Sequence, residues 1–408
     1  MKITIATGPI FPVPAVRGGA VQRLWEGLAR EFAKRGHEVT IFAREFPGQA
    51  TEETVDGIRY VRRGGYAQST SIKRDLVQCL LYALKTARHV PPGDVVVTND
   101  FWMPAVLPWL KPSVGNVIPC LQRFPKNQGR LYNKCAALAA VSRAVADAVK
   151  AQSPAVAGKV VVVPNAIDEE FLKRRVEHGA GSMEKGAGGA RPVRILYVGR
   201  IHPEKGLMLL ANALRLLAAR GEETKRPRAE SSRQREVQPR ADQETDWECV
   251  LVGPVTQGEG GGGEAFAEEL KLQVEGLPVR FEAPVYDPAA LAKIYDQADV
   301  FVYPSVAETG ESFGIAPLEA MARGVVPVVS DLAVFREYLE PGVNGMVFDH
   351  SSGEAAENLG VVMRALIGDA DLRKQMAVAA RKTAGEFSTA VIAERYLKLF
   401  AETLQSGK

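Results

Sequence analysis

Residues 2 to 42 follow a pattern that few folds can satisfy. Lys2-Ile3-Thr4-Ile5-Ala6 is a short β-branched run that stops at Thr7-Gly8-Pro9. A Gly18-Gly19 pair follows. From about Ala20 to Arg35, the residues Val21, Leu24, Trp25, Leu28 and Phe32 recur at three- and four-residue steps. That spacing sets them on one face of a helix, and Gly36 supplies its C-cap. His37-Glu38-Val39-Thr40-Ile41-Phe42 is again a strand. Strand, glycine turn, helix, strand is a βαβ unit, and repeated units imply a parallel sheet covered on both faces.

The pattern repeats. Further strands are predicted near Asp94–Thr98, Asn116–Pro119, Ala137–Val141 and Val160–Pro164. A second series starts at Arg194–Val198 and continues near Glu248–Val252, Val279–Phe281, Val300–Tyr303 and Val326–Val329. A chain of 408 residues is too long for one compact core. Two doubly wound α/β halves in tandem are therefore expected. Three segments have too little apolar area to offset chain entropy and read as loops or linkers: 176–191, 221–246 and 257–263. Within 221–246 the only large aliphatic residue is Val237.

Composition removes several classes of protein. Cys79, Cys120, Cys135 and Cys249 have no paired metal spacing and read as reduced thiols of a cytoplasmic protein. The first strand begins at Lys2, so no leader peptide is expected. No apolar run reaches the roughly 18 residues of a spanning helix. The net charge of +3 hides an asymmetry, because Ile58 to Lys150 holds fourteen Lys and Arg against four Asp and Glu. That field suits an anionic partner, or is a solvated basic face. Its cations are interleaved with apolar groups. Arg62, Arg63, Lys73, Arg74, Lys85 and Arg88 surround Leu76, Leu80, Leu81, Tyr82 and Leu84, and Arg123, Lys126, Arg130 and Lys134 surround Phe124, Leu131 and Tyr132. Such segments can lie on an anionic leaflet. No nucleic-acid-binding motif is present, and no nucleic-acid partner is expected.

The densest chemistry lies between Tyr303 and Ala322. A strand ends at Tyr303, a turn of small residues follows, and a helix begins near Ile315 with Pro317 in its first turn. The backbone N–H groups of Phe313, Gly314 and Ile315 then point out of a helix N-terminus, ready for an anion or a hydroxyl. Glu311 precedes that helix and Glu319 lies about one turn inside it. Either carboxylate alone would read as a cap or a solvated helix residue; both together, eight residues apart around Phe-Gly, point to one ligand. A second cluster is Tyr197-Val198-Gly199-Arg200-Ile201-His202-Pro203-Glu204-Lys205-Gly206. Here a strand runs into a glycine and a helix starts near Gly206. The planar fork of Arg200 and the compact charge of Lys205 suit a diphosphate, whose charge as a leaving group must be neutralised without a proton.

With these motifs the chain resembles glycosyltransferase family 4, retaining enzymes of GT-B architecture, from Met1 to about Leu404. The resemblance implies two Rossmann-like domains: 1–170 with about 388–408 on the acceptor side, and 171–387 for the nucleotide sugar. It implies that Gly18 and Gly19 lie against phosphates and acceptor. It implies that Val163-Pro164-Asn165-Ala166-Ile167-Asp168 is the interdomain strand end. Gly199 and Arg200 with Lys205 and Gly206 correspond to the diphosphate grip. Glu311 corresponds to the carboxylate that holds the donor sugar, and Glu319 to the one that holds the nucleotide ribose. Pro284-Val285 falls where the base is contacted. The last helix, about Thr389 to Leu404, corresponds to the one that crosses back to the first domain.

Two positions depart from the family. After the strand at Asp94–Val97 many members have a histidine that contacts the reacting sugar, whereas this chain reads Thr98-Asn99-Asp100-Phe101-Trp102. Gln122-Arg123-Phe124-Pro125-Lys126 looks like a variant of a subset, and Arg123 and Lys126 face donor, acceptor or solvent. The expected activity is transfer of a sugar from a UDP- or GDP-sugar to a glycan, glycolipid or other acceptor. No cofactor and no metal are expected, since no Asp-X-Asp site is apparent. A nucleotide-sugar epimerase and a non-catalytic partner subunit share the architecture and stand as rivals. The expected location is the cytoplasm or the inner face of its membrane.

Overall fold

A computed structural model of the chain describes all residues except 16–18, 70, 174–190, 226–246 and 407–408, and leaves out the side chains of 220–225. Gly18 and nearly all of 176–191 and 221–246 lie outside the described residues. The chain divides into two units. The first comprises Met1–Leu172, Thr309–Ile315 and Gly385–Lys408, and the second Lys173–Glu308 and Ala316–Ala384.

The first unit contains β1 (Lys2–Ala6), α1 (Ala20–Lys34), β2 (Glu38–Ala43), β3 (Glu52–Val55), β4 (Ile58–Arg62) and α2 (Ile72–Thr86). It continues with β5 (Val95–Thr98), α3 (Met103–Leu110), β6 (Asn116–Leu121), β7 (Leu138–Ala140), α4 (Arg143–Gln152), β8 (Val160–Val162) and α5 (Glu169–Leu172). The strands form one sheet in the order β3-β4-β2-β1-β5-β6-β7-β8. All neighbours are parallel except β3, which is antiparallel to β4. Val95, Val96 and Val97 are completely buried; a continuous apolar run is what a strand covered on both faces needs.

The second unit contains β9 (Val193–Val198), α6 (Leu207–Lys225), β10 (Trp247–Val252), α7 (Glu264–Gln273), β11 (Val279–Glu282), α8 (Pro288–Asp296) and β12 (Val300–Tyr303). It continues with α9 (Ile315–Ala322), β13 (Val326–Ser330), β14 (Met346–Phe348), α10 (Ala355–Gly368) and α11 (Ala370–Gly385). Its sheet is fully parallel in the order β11-β10-β9-β12-β13-β14. The last helix, α12 (Thr389–Ser406), packs on α1 in the first unit. Trp25 meets Tyr396 at a centroid distance of 4.9 Å, and Phe32 meets Phe400 at 5.8 Å. The face of α1 set by helical spacing thus has its partner at the far end of the sequence.

Three strands lie outside the sequence expectation: β3, β4 and β14. Glu52–Val55 has no apolar alternation because it is an exposed edge strand, and β14 has only three residues. One expected surface cation belongs to the interior. Arg62 has no exposed side-chain surface; its Nη1 meets Glu53 and the Ala50 carbonyl at 2.7 Å, and its Nε and Nη2 donate to the Val13 carbonyl. Tyr82 and Tyr132 are likewise buried. Among the described residues no helix is long and apolar enough to cross a membrane.

Candidate active site

In the second sheet the chain runs from β9 outward to β10 and β11, then returns to place β12 on the other side of β9. The carboxyl ends of β9 and β12 therefore flank a topological switch point, the place where open parallel sheets bind ligands. Both chemical motifs of this unit leave the sheet there. β9 ends in Gly199-Arg200 and β12 in Tyr303-Pro304-Ser305.

The two loops are tied together. The Val306 N–H donates to the Glu204 carbonyl at 3.0 Å, and the Ser305 hydroxyl donates to the same oxygen at 3.4 Å. Gly206 has φ +67°, and a Cβ there would stand 2.0 Å from the Pro304 carbonyl oxygen. Only glycine lets the chain turn into α6 so close to the neighbouring strand end. A Cβ on Gly199 would stand 2.7 Å from the Tyr197 hydroxyl.

Lys205 is 5% exposed, and its Nζ sits 5.3 Å from the centre of the Tyr303 ring. Tyr303 itself stacks on Tyr197 of the adjacent strand, with centroids 5.8 Å apart and planes 14° from parallel. The aromatic pair thus forms a fixed floor under the cation. Arg200 is held by its fork. Nη1 donates to the Gly260 carbonyl at 2.8 Å, and Nη2 is ion-paired with Glu204. The glycine run 257–263 is here a hydrogen-bonded loop, in which Gly261, Gly262 and Gly263 donate to Thr256, Ile201 and Val255.

Glu319 is half-buried on α9 and accepts a hydrogen bond from the Tyr295 hydroxyl at 3.1 Å. Burial, with the Glu319 carboxylate beside it, pushes the Tyr295 phenol far up, so it stays a donor at neutral pH. Glu319 is therefore aimed by α8, an element no local motif connects to it. Val285 is half-buried in the loop between β11 and α8.

Glu311, Phe313 and Gly314 lie in the segment Thr309–Ile315, which clusters with the first unit. Glu311 is 7% exposed and Phe313 2%. The Ser312 hydroxyl donates to the Gln122 carbonyl at 2.8 Å, and Phe313 faces Phe387 at 6.1 Å. Gly314 has φ +75° immediately before α9.

Gly19 is the N-cap of α1 with φ +97°. Arg123 and Lys126 are exposed in the loop after β6. Asn165 follows β8, and its buried Oδ1 has no hydrogen-bond partner.

Asp100 follows β5. Its Oδ1 accepts from the Met103 N–H at 2.6 Å at the start of α3, while the buried Oδ2 has no partner. Burial raises its carboxyl to about 6.

The sequence motifs missed Tyr295, Glu204 as a partner of Arg200, and the Gly260 carbonyl. Glu204 was visible as an i+4 partner of Arg200; the other two lie too far away in the chain for any local signal.

Two family models match consecutive stretches of the chain. The model described as "Glycosyltransferase Family 4" matches residues 17–171, and "Glycosyl transferases group 1" matches residues 184–383. The D-inositol 3-phosphate glycosyltransferase of Kineococcus radiotolerans is 26% identical over 444 residues, spanning 99% of this chain and 95% of that protein. Among solved structures, sucrose-phosphate synthase from Thermosynechococcus elongatus superposes with a TM-score of 0.73 at 16% identity, covering 99% of both chains. Anabaena Alr3699/HepE, solved in complex with UDP and glucose, superposes with a TM-score of 0.67 at 19% identity, covering 100% of both. With models of the family matching both halves, and with two parallel α/β sheets shared with these structures, the chain belongs to glycosyltransferase family 4 and has the GT-B fold.

Proposed function

We propose that this chain transfers a sugar from a nucleoside-diphosphate sugar, UDP- or GDP-linked, to a hydroxyl of a glycan, glycolipid or other acceptor. In this reading the anomeric configuration is retained, the product is a cell-surface polysaccharide or glycoconjugate, and no metal takes part. The observation that carries it is the assembly at the β9/β12 switch point: Gly199 and Arg200, Lys205 over the Tyr303 ring, and the two strand ends tied together. A diphosphate placed there meets two cations. Lys205 is already largely desolvated, which strengthens its attraction for developing phosphate charge. Arg200 would exchange Glu204 or the Gly260 carbonyl for phosphate oxygens, a bidentate match for its fork.

Glu319, steadied by Tyr295, takes the ribose hydroxyls, and Glu311 takes the donor sugar. The N–H groups of Phe313, Gly314 and Ile315 add donors at the start of α9. UDP in HepE supports a nucleotide donor by analogy of fold. The enzyme would work in the cytoplasm, peripherally on the inner membrane face.

Thermal-shift titration against UDP-, GDP- and ADP-sugars identifies the donor; a ligand at 100 times its Kd stabilises by about 2.7 kcal/mol. Release of nucleoside diphosphate that requires an acceptor, and survives a chelator, is the expected result. Turnover of the donor without acceptor would favour an epimerase, and no binding of any donor would favour a non-catalytic subunit.

A further inference from the structure

We propose that the outer face of α2, extended by Trp109 of α3, is the surface that docks this protein on anionic lipid. This deepens the reading of a peripheral enzyme and rests on it. The side of α2 toward the protein carries Cys79, Tyr82, Ala83 and Thr86, all buried. The other side is apolar and bare. Val77 is 59% exposed, Leu81 49% and Leu84 47%. Lys73, Val77, Leu81 and Leu84 fall at i, i+4, i+8 and i+11, so they share one stripe of the helix. Scattered exposed apolar residues need no explanation, but a stripe of them on one helix does.

Lys73 heads that stripe, and further cations flank it. Lys73, Arg74, Lys85 and Arg88 are all exposed. The only acid of α2, Asp75, accepts from the Ser69 backbone at 2.9 Å and is half-buried. α3 runs alongside: the Trp102 indole donates to the Leu76 carbonyl at 3.0 Å, and the Lys111 ammonium donates to the Val90 carbonyl at 2.7 Å. At the far end of α3, Trp109 is 61% exposed with the Lys134 Nζ 3.2 Å from its ring centre. Such a tryptophan has an apolar body with a cation over its face, a combination that suits a headgroup region.

Charge selects the occupant. A second copy of this chain, paired face to face, would bring the same cations against one another. An anionic bilayer takes the apolar stripe at the acyl boundary and the lysines and arginines at the phosphates. A helix of 15 residues with this charge lies in the interface rather than across it.

The test is co-sedimentation of the full chain with vesicles of phosphatidylcholine alone and of phosphatidylcholine with phosphatidylglycerol, at low and high salt. The wild type should bind only the anionic vesicles and lose binding as salt rises. V77S/L81S/L84S and K73E/R74E should each weaken binding about tenfold or more. K293E/K382E, which removes the same charge from the second unit, should bind like the wild type. Donor-induced thermal shifts should be unchanged in every variant, showing that the fold and donor site are intact. Absence of wild-type binding at low salt overturns the peripheral reading itself. Wild-type binding that both α2 variants retain overturns the assignment to this face and leaves the peripheral reading standing. A dimer that the V77S/L81S/L84S variant dissolves, with no vesicle binding, makes the face a contact between copies and ends the proposal.

Discussion

Arg200 and Lys205 are two cations five residues apart with different surroundings. Arg200 is half-exposed and shared between Glu204 and the Gly260 carbonyl; Lys205 is buried over an aromatic ring. A charge-assisted hydrogen bond contributes about 1.5–3 kcal/mol, so Arg200→Ala and Lys205→Ala should each lower kcat/KM roughly ten- to a hundredfold or more. Steady-state kinetics with the donor found by thermal shift check this, and unchanged turnover in both would remove the diphosphate assignment. Glu311→Gln keeps the shape of the side chain and loses its charge, so it should fold with an unchanged Tm and lose most activity. Normal turnover would make Glu311 a structural residue.

Asp100 gives a pH signature. Its carboxyl is raised by burial to about 6, so the folded chain holds a proton there that the unfolded chain has already lost. Stability from this group is therefore greatest below about pH 4 and falls as pH rises toward 6, by on the order of 1–3 kcal/mol. Asp100→Asn keeps the bond from Met103 and has no such titration. Its denaturation midpoint should lose that slope and exceed the wild type at pH 7; parallel pH profiles for the two proteins would contradict the burial of this charge.

At the scale of elements, α9 is short and carries much of the proposed chemistry, so its position must be fixed from outside. Arg323, just past its end, is 4% exposed and forms a two-pronged ion pair with Asp296 at the end of α8, at 2.8 and 2.6 Å, while Nη1 donates to the Lys173 carbonyl. Tyr295, one residue before Asp296, bonds Glu319. The clamp and the aimed carboxylate are thus one piece of packing. Arg323→Met leaves Asp296 largely buried and without its partner, which should cost about 3–5 kcal/mol. Chemical denaturation reads the loss, and a change under about 1 kcal/mol would mean that the pair is solvated. The elements most visible in the sequence were those with a full period. The α1 stripe, the βαβ order and the start of α9 after Tyr-Pro-Ser were legible from spacing and turn chemistry alone. β3 and β14 were not, because an exposed edge strand and a three-residue strand bury too little to impose a pattern.

For the whole molecule, composition makes one prediction that lies outside the described residues. Residues 222–245 contain Val237 as their only large aliphatic side chain, and loop-closure entropy grows slowly with length. Replacing them with a short linker should leave donor binding and transfer intact. A soluble variant with neither would reveal a role that composition does not disclose. The sequence alone determined the two-sheet α/β class and the family, because strand and helix periods and the glycine and carboxylate motifs are local and survive in one dimension. It also located the Gly-Arg and Lys-Gly loop and the paired glutamates. Tertiary structure alone decided what those residues touch. Arg62 stands in a basic run, yet it is interior because carbonyls from Val13 and Ala50 and the Glu53 carboxylate converge on it. Lys205 owes its aromatic floor to the pairing of β9 with β12, and Glu319 its aim to a tyrosine 24 residues upstream. The bare stripe of α2 is apolar in the sequence like any core stripe. Only packing of its opposite face left it facing outward. Burial and partnership depend on where distant segments meet, and no local pattern encodes that.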